Sequence, residues 1–199
     1  AWDVVNEAIA GSGNDGAGNY PLQHGSDSKN FFWQDYMGDE LYVRKAVELA
    51  RKYFAEYGGN PADLKLFVND YNLEGDWDGN KKCTSLVNWI KKWESDNITK
   101  IDGIGTQMHV SCSMNAQTQA SREAAVVNMF KILAASGKLI KITELDVGIT
   151  DASGNTILTR NATKAHNEAI AAYYKFIITK YFEIIPKAQQ FGITVWSPT

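Results

Sequence analysis

The sequence predicts an α/β fold in which parallel strands alternate with helices. Strand-like and helix-like segments alternate through the 199 residues, and polar residues gather where successive strands end. Alternation of this kind produces parallel strands joined by right-handed crossovers. In an α/β barrel the carboxyl ends of the strands form the rim where active sites are built. A doubly wound open sheet would also alternate, but it would not need five successive strands to end in candidate site residues.

The first strand is predicted at residues 2–7, where an apolar segment ends in the polar pair Asn6 and Glu7. Residues 11–30 are rich in Gly, Asn and Ser, which predicts a long loop. Three glycines of this loop have the G-x-G-x-x-G spacing of a dinucleotide site, where a helix must follow at once. No helical pattern follows them, so a nucleotide-dependent oxidoreductase is the weakest functional alternative.

Four further helix–strand pairs complete the series. The helix near 39–57 has apolar residues three and four positions apart, and Gly58 and Gly59 end it. The same reasoning predicts helices near 86–93, 121–137 and 162–183, and strands at 64–72, 101–110, 139–147 and 192–197. The spacing from one strand to the next is close to that of one βαβ unit, except where the long loop lengthens the first.

Composition excludes several classes of protein. The chain carries 20 basic and 23 acidic residues without a basic block, which argues against a nucleic-acid partner. Its apolar runs are too short for a membrane span. Cys83 and Cys112 do not make a disulfide framework, and whether they pair is open. Residues 76–82 resemble the start of a calcium loop but lack its later glycine and glutamate, so we expect no metal and no cofactor.

Two carboxylates stand out among the polar residues at the strand ends. Glu7 ends the first strand and Glu144 lies near the end of the fourth. If the strands form a barrel, the two share a cleft and suit glycoside hydrolysis, in which one carboxyl protonates the leaving oxygen and the other attacks the sugar. His109 could hold Glu144, and Asp146 could orient His109. Taken singly, each neighbour has an ordinary structural explanation.

Several segments resemble a known family. "WDVVNE" and "ITELDV" resemble the acid/base and nucleophile segments of glycoside hydrolase family 10, the endo-β-1,4-xylanases. "LFVNDYNLE", "IDGIGTQMHV" and "GITVWS" resemble that family's fifth, sixth and eighth strands. The resemblance implies a (β/α)8 TIM barrel, represented here by its C-terminal five strands and four helices. It also implies a retaining double displacement with Glu7 as acid/base and Glu144 as nucleophile.

The resemblance assigns roles to the remaining strand-end residues. Asn6 would contact the 2-hydroxyl of the sugar being cleaved, and Gln107 and His109 would line the same subsite. Asp146 would lie behind His109. The other substrate-binding residues implied are Tyr71 and Asn72 on the leaving-group side and Trp196 on the cleft floor.

By the same resemblance, residues 1–199 are the C-terminal part of a single catalytic barrel, without its first three strands and last helix. We expect the missing part to precede this segment or to come from a second copy, and the segment alone to be poorly active. The expected substrate is xylan or xylo-oligosaccharides. A polymer too large to enter a cell implies an extracellular or periplasmic enzyme. The alternatives are a β-1,4-glucanase or cellulase on the same fold, and an inert carbohydrate-binding fragment.

Overall fold

All paired strands of the sheet run parallel to one another. The computed structural model describes residues 1–196. Its strands are β1 (Trp2–Asn6), β2 (Leu66–Asp70), β3 (Gly103–Thr106), β4 (His109–Ser113), β5 (Leu139–Thr150) and β6 (Gln190–Val195). Its helices are α1 (Gln34–Met37), α2 (Leu41–Glu56), α3 (Lys81–Trp93), α4 (Ala116–Ala135) and α5 (Lys164–Ile184).

The lateral order of the strands is β1, β2, β3, β5 and β6, and β4 continues the line of β3 along the second half of β5. The sheet therefore has five lines of strand, which confirms the predicted number. Strands that are consecutive along the chain also lie next to one another in the sheet, with β3 and β4 counted as one line. A doubly wound sheet would reverse its order at one point, and no reversal occurs in the described residues.

The prediction of one continuous strand at 101–110 is wrong. Met108 has a left-handed backbone (φ 61°), which separates β3 from β4. The ladder continues across the gap, because the backbone N–H of Glu144 donates to the Gln107 carbonyl at 3.1 Å. Helix α1 was not predicted, since four residues are too few to show a helical period. The strand predicted at 192–197 is observed at 190–195, and Ser197 lies outside the described residues.

The register of the sheet places most strand ends at one level. Asn6 pairs with Asn69 of β2, and Thr106 of β3 pairs with Ile142 of β5. Strand β5 then continues to Thr150, with β4 alongside it. Glu144 and Asp146 therefore lie on the part of β5 that extends beyond the ends of β1, β2 and β3.

The central strands β2 and β3 are buried on both faces, as is usual in parallel sheets. All five residues of β2 are buried. Helix α3 buries Leu86, Trp89, Ile90 and Trp93, which are the residues whose spacing predicted it. The two cysteines are buried and are not bonded to each other in this structure. None of the helices in residues 1–196 combines the length and hydrophobicity that a membrane crossing requires.

The two outer strands have one free edge each within the described residues, since β1 pairs only with β2 and β6 only with β5. An apolar groove of about 650 Å³, here called the edge groove, lies between β1 and α2. Its walls include Trp2, Trp33, Leu49, Tyr53 and Phe54. All five of these side chains are exposed, although they are large and hydrophobic.

Candidate active site

A cavity of about 510 Å³ opens at the carboxyl ends of the strands. Eight of the nine site residues predicted from the sequence line it: Asn6, Glu7, Tyr71, Asn72, Gln107, His109, Glu144 and Trp196. The ninth, Asp146, contacts the cavity residue His109. Side chains that are far apart in the sequence therefore meet at one point, because the carboxyl ends of β1, β2 and β3 and the extended part of β5 lie at the same edge of the sheet.

Three residues at this rim have left-handed backbones although they are not glycines: Glu7 (φ 56°), Asn72 (φ 57°) and Met108 (φ 61°). Asparagine tolerates this conformation, whereas for the other residue types it costs about 1–2 kcal/mol. Surrounding bonds hold Glu7 in place, and its N–H donates to the Asn69 carbonyl at 2.8 Å. Strain of this kind is concentrated at functional sites.

Gln107 connects the side chains of Asn6 and Glu7. Its Nε2 donates to Oε1 of Glu7 at 2.8 Å and makes a longer contact of 3.5 Å to Oδ1 of Asn6. The left-handed Met108 separates Gln107 from His109 and lets both side chains line the cavity. The break in the predicted strand is therefore part of the construction of the site.

Asn69 joins the two halves of the site, and the sequence did not single it out. Its Nδ2 donates to Oδ1 of Asn6 at 2.9 Å and to Oε1 of Glu144 at 3.0 Å. The hydroxyl of Thr143 donates to Oδ1 of Asn69 at 2.7 Å, which fixes the orientation of the amide. A Cβ on Gly105 would lie 2.4 Å from that same oxygen, so glycine is needed there.

The only signal for Asn69 in the sequence was its place in the polar segment 69–72. It is almost fully buried, with 1% of its surface exposed. Its importance comes from side chains on two other strands, which no local pattern shows.

The carboxylate of Glu144 also contacts His109. Nε2 of His109 lies 3.1 Å from Oε2 of Glu144, and Nδ1 lies 3.0 Å from Oδ1 of Asp146. Burial lowers the pKa of His109, but the hydrogen bonds and negative charges of Asp146 and Glu144 outweigh it, so the pKa is raised. Trp196 packs against the imidazole edge-to-face, with 5.8 Å between ring centroids.

A smaller cavity of about 190 Å³ adjoins the first and shares Asn72 and His109 with it. Glu74 and Trp77 also line it. Burial raises the pKa of Glu74 to about 7. Within residues 1–196, no group of three or more His, Cys, Asp or Glu side chains is arranged to hold a metal ion.

Comparison with known proteins identifies the family. The profile described as Glycosyl hydrolase family 10 matches residues 1–199. Endo-1,4-beta-xylanase A of Cellvibrio japonicus is 35% identical over 209 residues, which cover 98% of this chain and 30% of that protein. The solved catalytic core of a xylanase A is 31% identical, with a TM-score of 0.67 over 99% of this chain and 54% of that one.

A second structure, xylanase 10C of Cellvibrio japonicus in complex with xylopentaose, is 30% identical with a TM-score of 0.70. The match covers 99% of this chain and 34% of that one. The chain thus spans about half the length of the solved catalytic core and less of the other relatives. Its sheet corresponds to part of the TIM barrel of these xylanases, which confirms the predicted fold class. The chain belongs to glycosyl hydrolase family 10.

Proposed function

We propose that the protein containing this chain is an endo-acting glycoside hydrolase that cleaves internal β-1,4-xylosidic bonds of xylan with retention of configuration. The observation that carries this proposal is the single cavity lined by Glu7 and Glu144. A fold alone would not indicate the activity, because TIM barrels host many chemistries. Family membership and paired carboxylates at the strand ends together favour this one.

In the first step Glu144 attacks the anomeric carbon, and the bond from that carbon to the glycosidic oxygen breaks. Glu7 gives its proton to the departing oxygen as general acid. Gln107 donates to Oε1 of Glu7, which leaves Oε2 to carry the proton toward the substrate. In the second step Glu7 takes a proton from water, the water oxygen bonds to the anomeric carbon, and Glu144 departs as a carboxylate.

Two polar contacts on separate oxygens hold Glu144 for attack. Asn69 donates to Oε1, and His109 faces Oε2. Asp146 contacts the other side of the imidazole, as a carboxylate does for a catalytic histidine in other hydrolases. These contacts cost no reorganisation when the reaction starts, which is how preorganised polar groups accelerate chemistry.

The other cavity residues would bind the sugar. The oxygen of Asn6 accepts from Asn69, which leaves its NH2 group to donate to the 2-hydroxyl. Trp196 is 52% exposed and offers an apolar ring face for a pyranose to stack on. Tyr71 and Asn72 would contact the sugar on the leaving-group side.

We also propose that residues 1–199 form the fourth to eighth strands of one catalytic barrel and that three further strands complete it. Two features of the described residues support this, the free edges of β1 and β6 and the exposed side chains of the edge groove, because a barrel leaves neither uncovered. The missing part would belong to the same natural protein, and a second copy of this chain is the alternative. The polymeric substrate places the enzyme in the extracellular or periplasmic space.

The test is to follow the hydrolysis of xylotetraose by the full-length protein with proton NMR. Retention predicts that the β-anomer appears first and then mutarotates. Initial release of the α-anomer would contradict the assignment of Glu144 as nucleophile. Equal or better cleavage of cellulose would favour the glucanase alternative, and binding of xylo-oligosaccharides without any product would favour an inert carbohydrate-binding protein.

A further inference from the structure

Lys82 is a buried cation beneath the wall of the active-site cavity. It lies in the first turn of α3, and only 2% of its surface is exposed. Its Nζ is 2.8 Å from Oδ1 of Asp70, the last residue of β2, which is fully buried. The catalytic steps proposed above do not use this ion pair.

Asp70 links the pair to the backbone on both sides of the site. Its Oδ2 accepts a hydrogen bond from the N–H of Ile9 at 3.0 Å, two residues after Glu7. Its Oδ1 accepts from the N–H of Tyr71 at 2.9 Å. One carboxylate therefore fixes the chain that leads away from Glu7 and the start of the loop that carries Tyr71.

Lys82 also contacts Tyr71 directly, because Nζ lies 3.4 Å from the centroid of the tyrosine ring. A desolvated cation over an aromatic face is attracted more strongly than an exposed one. Tyr71 is also one of the residues that line the cavity. Burial, followed by the charges of Asp70 and Glu7, raises the pKa of its phenol, which places Tyr71 within electrostatic reach of Glu7.

Stability alone is a poor explanation for this arrangement. A buried ion pair often stabilises a protein no better than apolar side chains of the same size, because both charges lose their hydration. Moreover, Nζ of Lys82 makes no well-aligned hydrogen bond within the described residues, although it lies close to Asp70. The pair nevertheless contacts one cavity residue, Tyr71, and the segment that follows another, Glu7.

We propose that Lys82 is a positioning residue: it holds the Tyr71 ring through a cation–π contact and the Glu7 segment through Asp70, so that the acid and the leaving-group wall keep their geometry. This proposal rests on the proposed function of Glu7 as general acid. It assigns Lys82 to departure of the leaving group and not to attack by Glu144.

The experiment compares two substrates in the full-length protein and its Lys82→Met variant. Xylotetraose has a sugar leaving group that needs protonation, whereas dinitrophenyl β-xylobioside has a leaving group that departs unaided. We expect kcat/KM for xylotetraose to fall roughly 10- to 100-fold, as for other small misplacements of catalytic groups. For the aryl glycoside we expect a fall of about threefold or less, because no acid catalysis is required.

A second measurement does not depend on activity. The ¹⁹F resonance of Tyr71 is recorded in protein labelled with 3-fluorotyrosine and is assigned with Tyr71→Phe. We expect Lys82→Met to shift it. The control is Lys138→Met, which removes a different cation, bonded to Glu94 at 2.6 and 2.8 Å, and which should leave both the Tyr71 resonance and the ratio of the two rates unchanged.

The double variant Lys82→Met/Asp70→Asn removes both charges and covers the case in which the single variant does not fold. We expect the double variant to be better folded than Lys82→Met. We also expect it to lose more kcat/KM on xylotetraose than on the aryl glycoside. An equal loss on both substrates, an unchanged Tyr71 resonance or full xylotetraose activity in the double variant would each overturn the proposal. If the unsubstituted protein cleaves neither substrate, the proposed function fails, and the Tyr71 resonance still decides whether Lys82 positions that ring.

Discussion

Glu7 and Glu144 line the same cavity, but their surroundings differ. One oxygen of Glu7 accepts from the neutral amide of Gln107, and the residue has a left-handed backbone at the end of its strand. Glu144 lies within the extended strand β5, and its two oxygens face Asn69 and His109 separately. Two identical side chains can take opposite roles in acid–base chemistry when their environments differ in this way.

The difference suggests how each residue is used. A proton donor needs one oxygen free to hold and release the proton, and within residues 1–196 Glu7 has a single side-chain donor on one oxygen. A nucleophile needs a fixed, charged carboxylate, and polar contacts on both oxygens hold Glu144. Four substitutions, in decreasing order of expected effect, test this comparison.

The largest effect is expected for Glu144→Gln, because an amide cannot form the glycosyl–enzyme bond. We expect kcat to fall by about 10⁴-fold or more on every substrate, including those with activated leaving groups. The measurement is initial rates on xylotetraose and an aryl xylobioside. A variant that retains appreciable activity on the aryl substrate would show that Glu144 is not the nucleophile.

The substitution Glu7→Gln should have a smaller and substrate-dependent effect. General acid catalysis contributes about 10²- to 10⁴-fold, so we expect a loss of that size in kcat/KM for xylotetraose. For an aryl glycoside that needs no protonation, kcat/KM should change little. The same loss on both substrates would contradict the division of roles between the two glutamates.

Asn69→Ala removes the donor shared by Asn6 and Glu144. It also leaves the Thr143 hydroxyl without its acceptor, so we expect a loss of about 1–3 kcal/mol in unfolding free energy. We expect kcat/KM to fall on both substrates, because the nucleophile loses the amide donor on its Oε1. The matched control is Asn128→Ala, which removes a hydrogen bond to Asn80 outside the cavity. If the two variants have equal kinetics, Asn69 is structural only.

The smallest effect concerns pH and His109. Its pKa is higher in the folded protein than the usual 6.5, so the proton binds the folded state more tightly than the unfolded chain. The resulting stabilisation is fully present below pH 6.5 and disappears as the pH rises through the raised value. Thermal unfolding should show that His109→Gln is destabilising at pH 5 and less so at pH 8. If the difference in stability between the variant and the unsubstituted protein is the same at both pH values, the ion pairs of His109 with Asp146 and Glu144 do not contribute to stability.

The comparison of the two glutamates also shows how far sequence reasoning reached. Polar residues at the ends of five strands predicted the rim, and eight of the nine candidates line one cavity. That inference worked because parallel strands bring their carboxyl ends together whatever the details of packing. The strand at 101–110 was predicted as continuous, because nothing in the local pattern marks Met108 as left-handed.

Sequence analysis did not identify two residues that are important in the structure. Asn69 is buried in β2 and acts through Asn6 and Glu144 on the first and fifth strands. Lys82 is a lysine in a helix, where a solvated side chain is the usual expectation. Its burial against Asp70 and Tyr71 arises only when α3 packs on β2.

The sequence by itself determined the alternation of strands and helices, the number of strand lines and the residues that reach the rim. Each of these follows from local periodicity and from the direction of parallel strands. Only the tertiary structure decided which side chains bond to one another across strands. Those bonds require distances of about 3 Å to be set to within a few tenths of an ångström, between residues up to 101 positions apart, such as Asn6 and Gln107. The local pattern of residue types does not predict such distances.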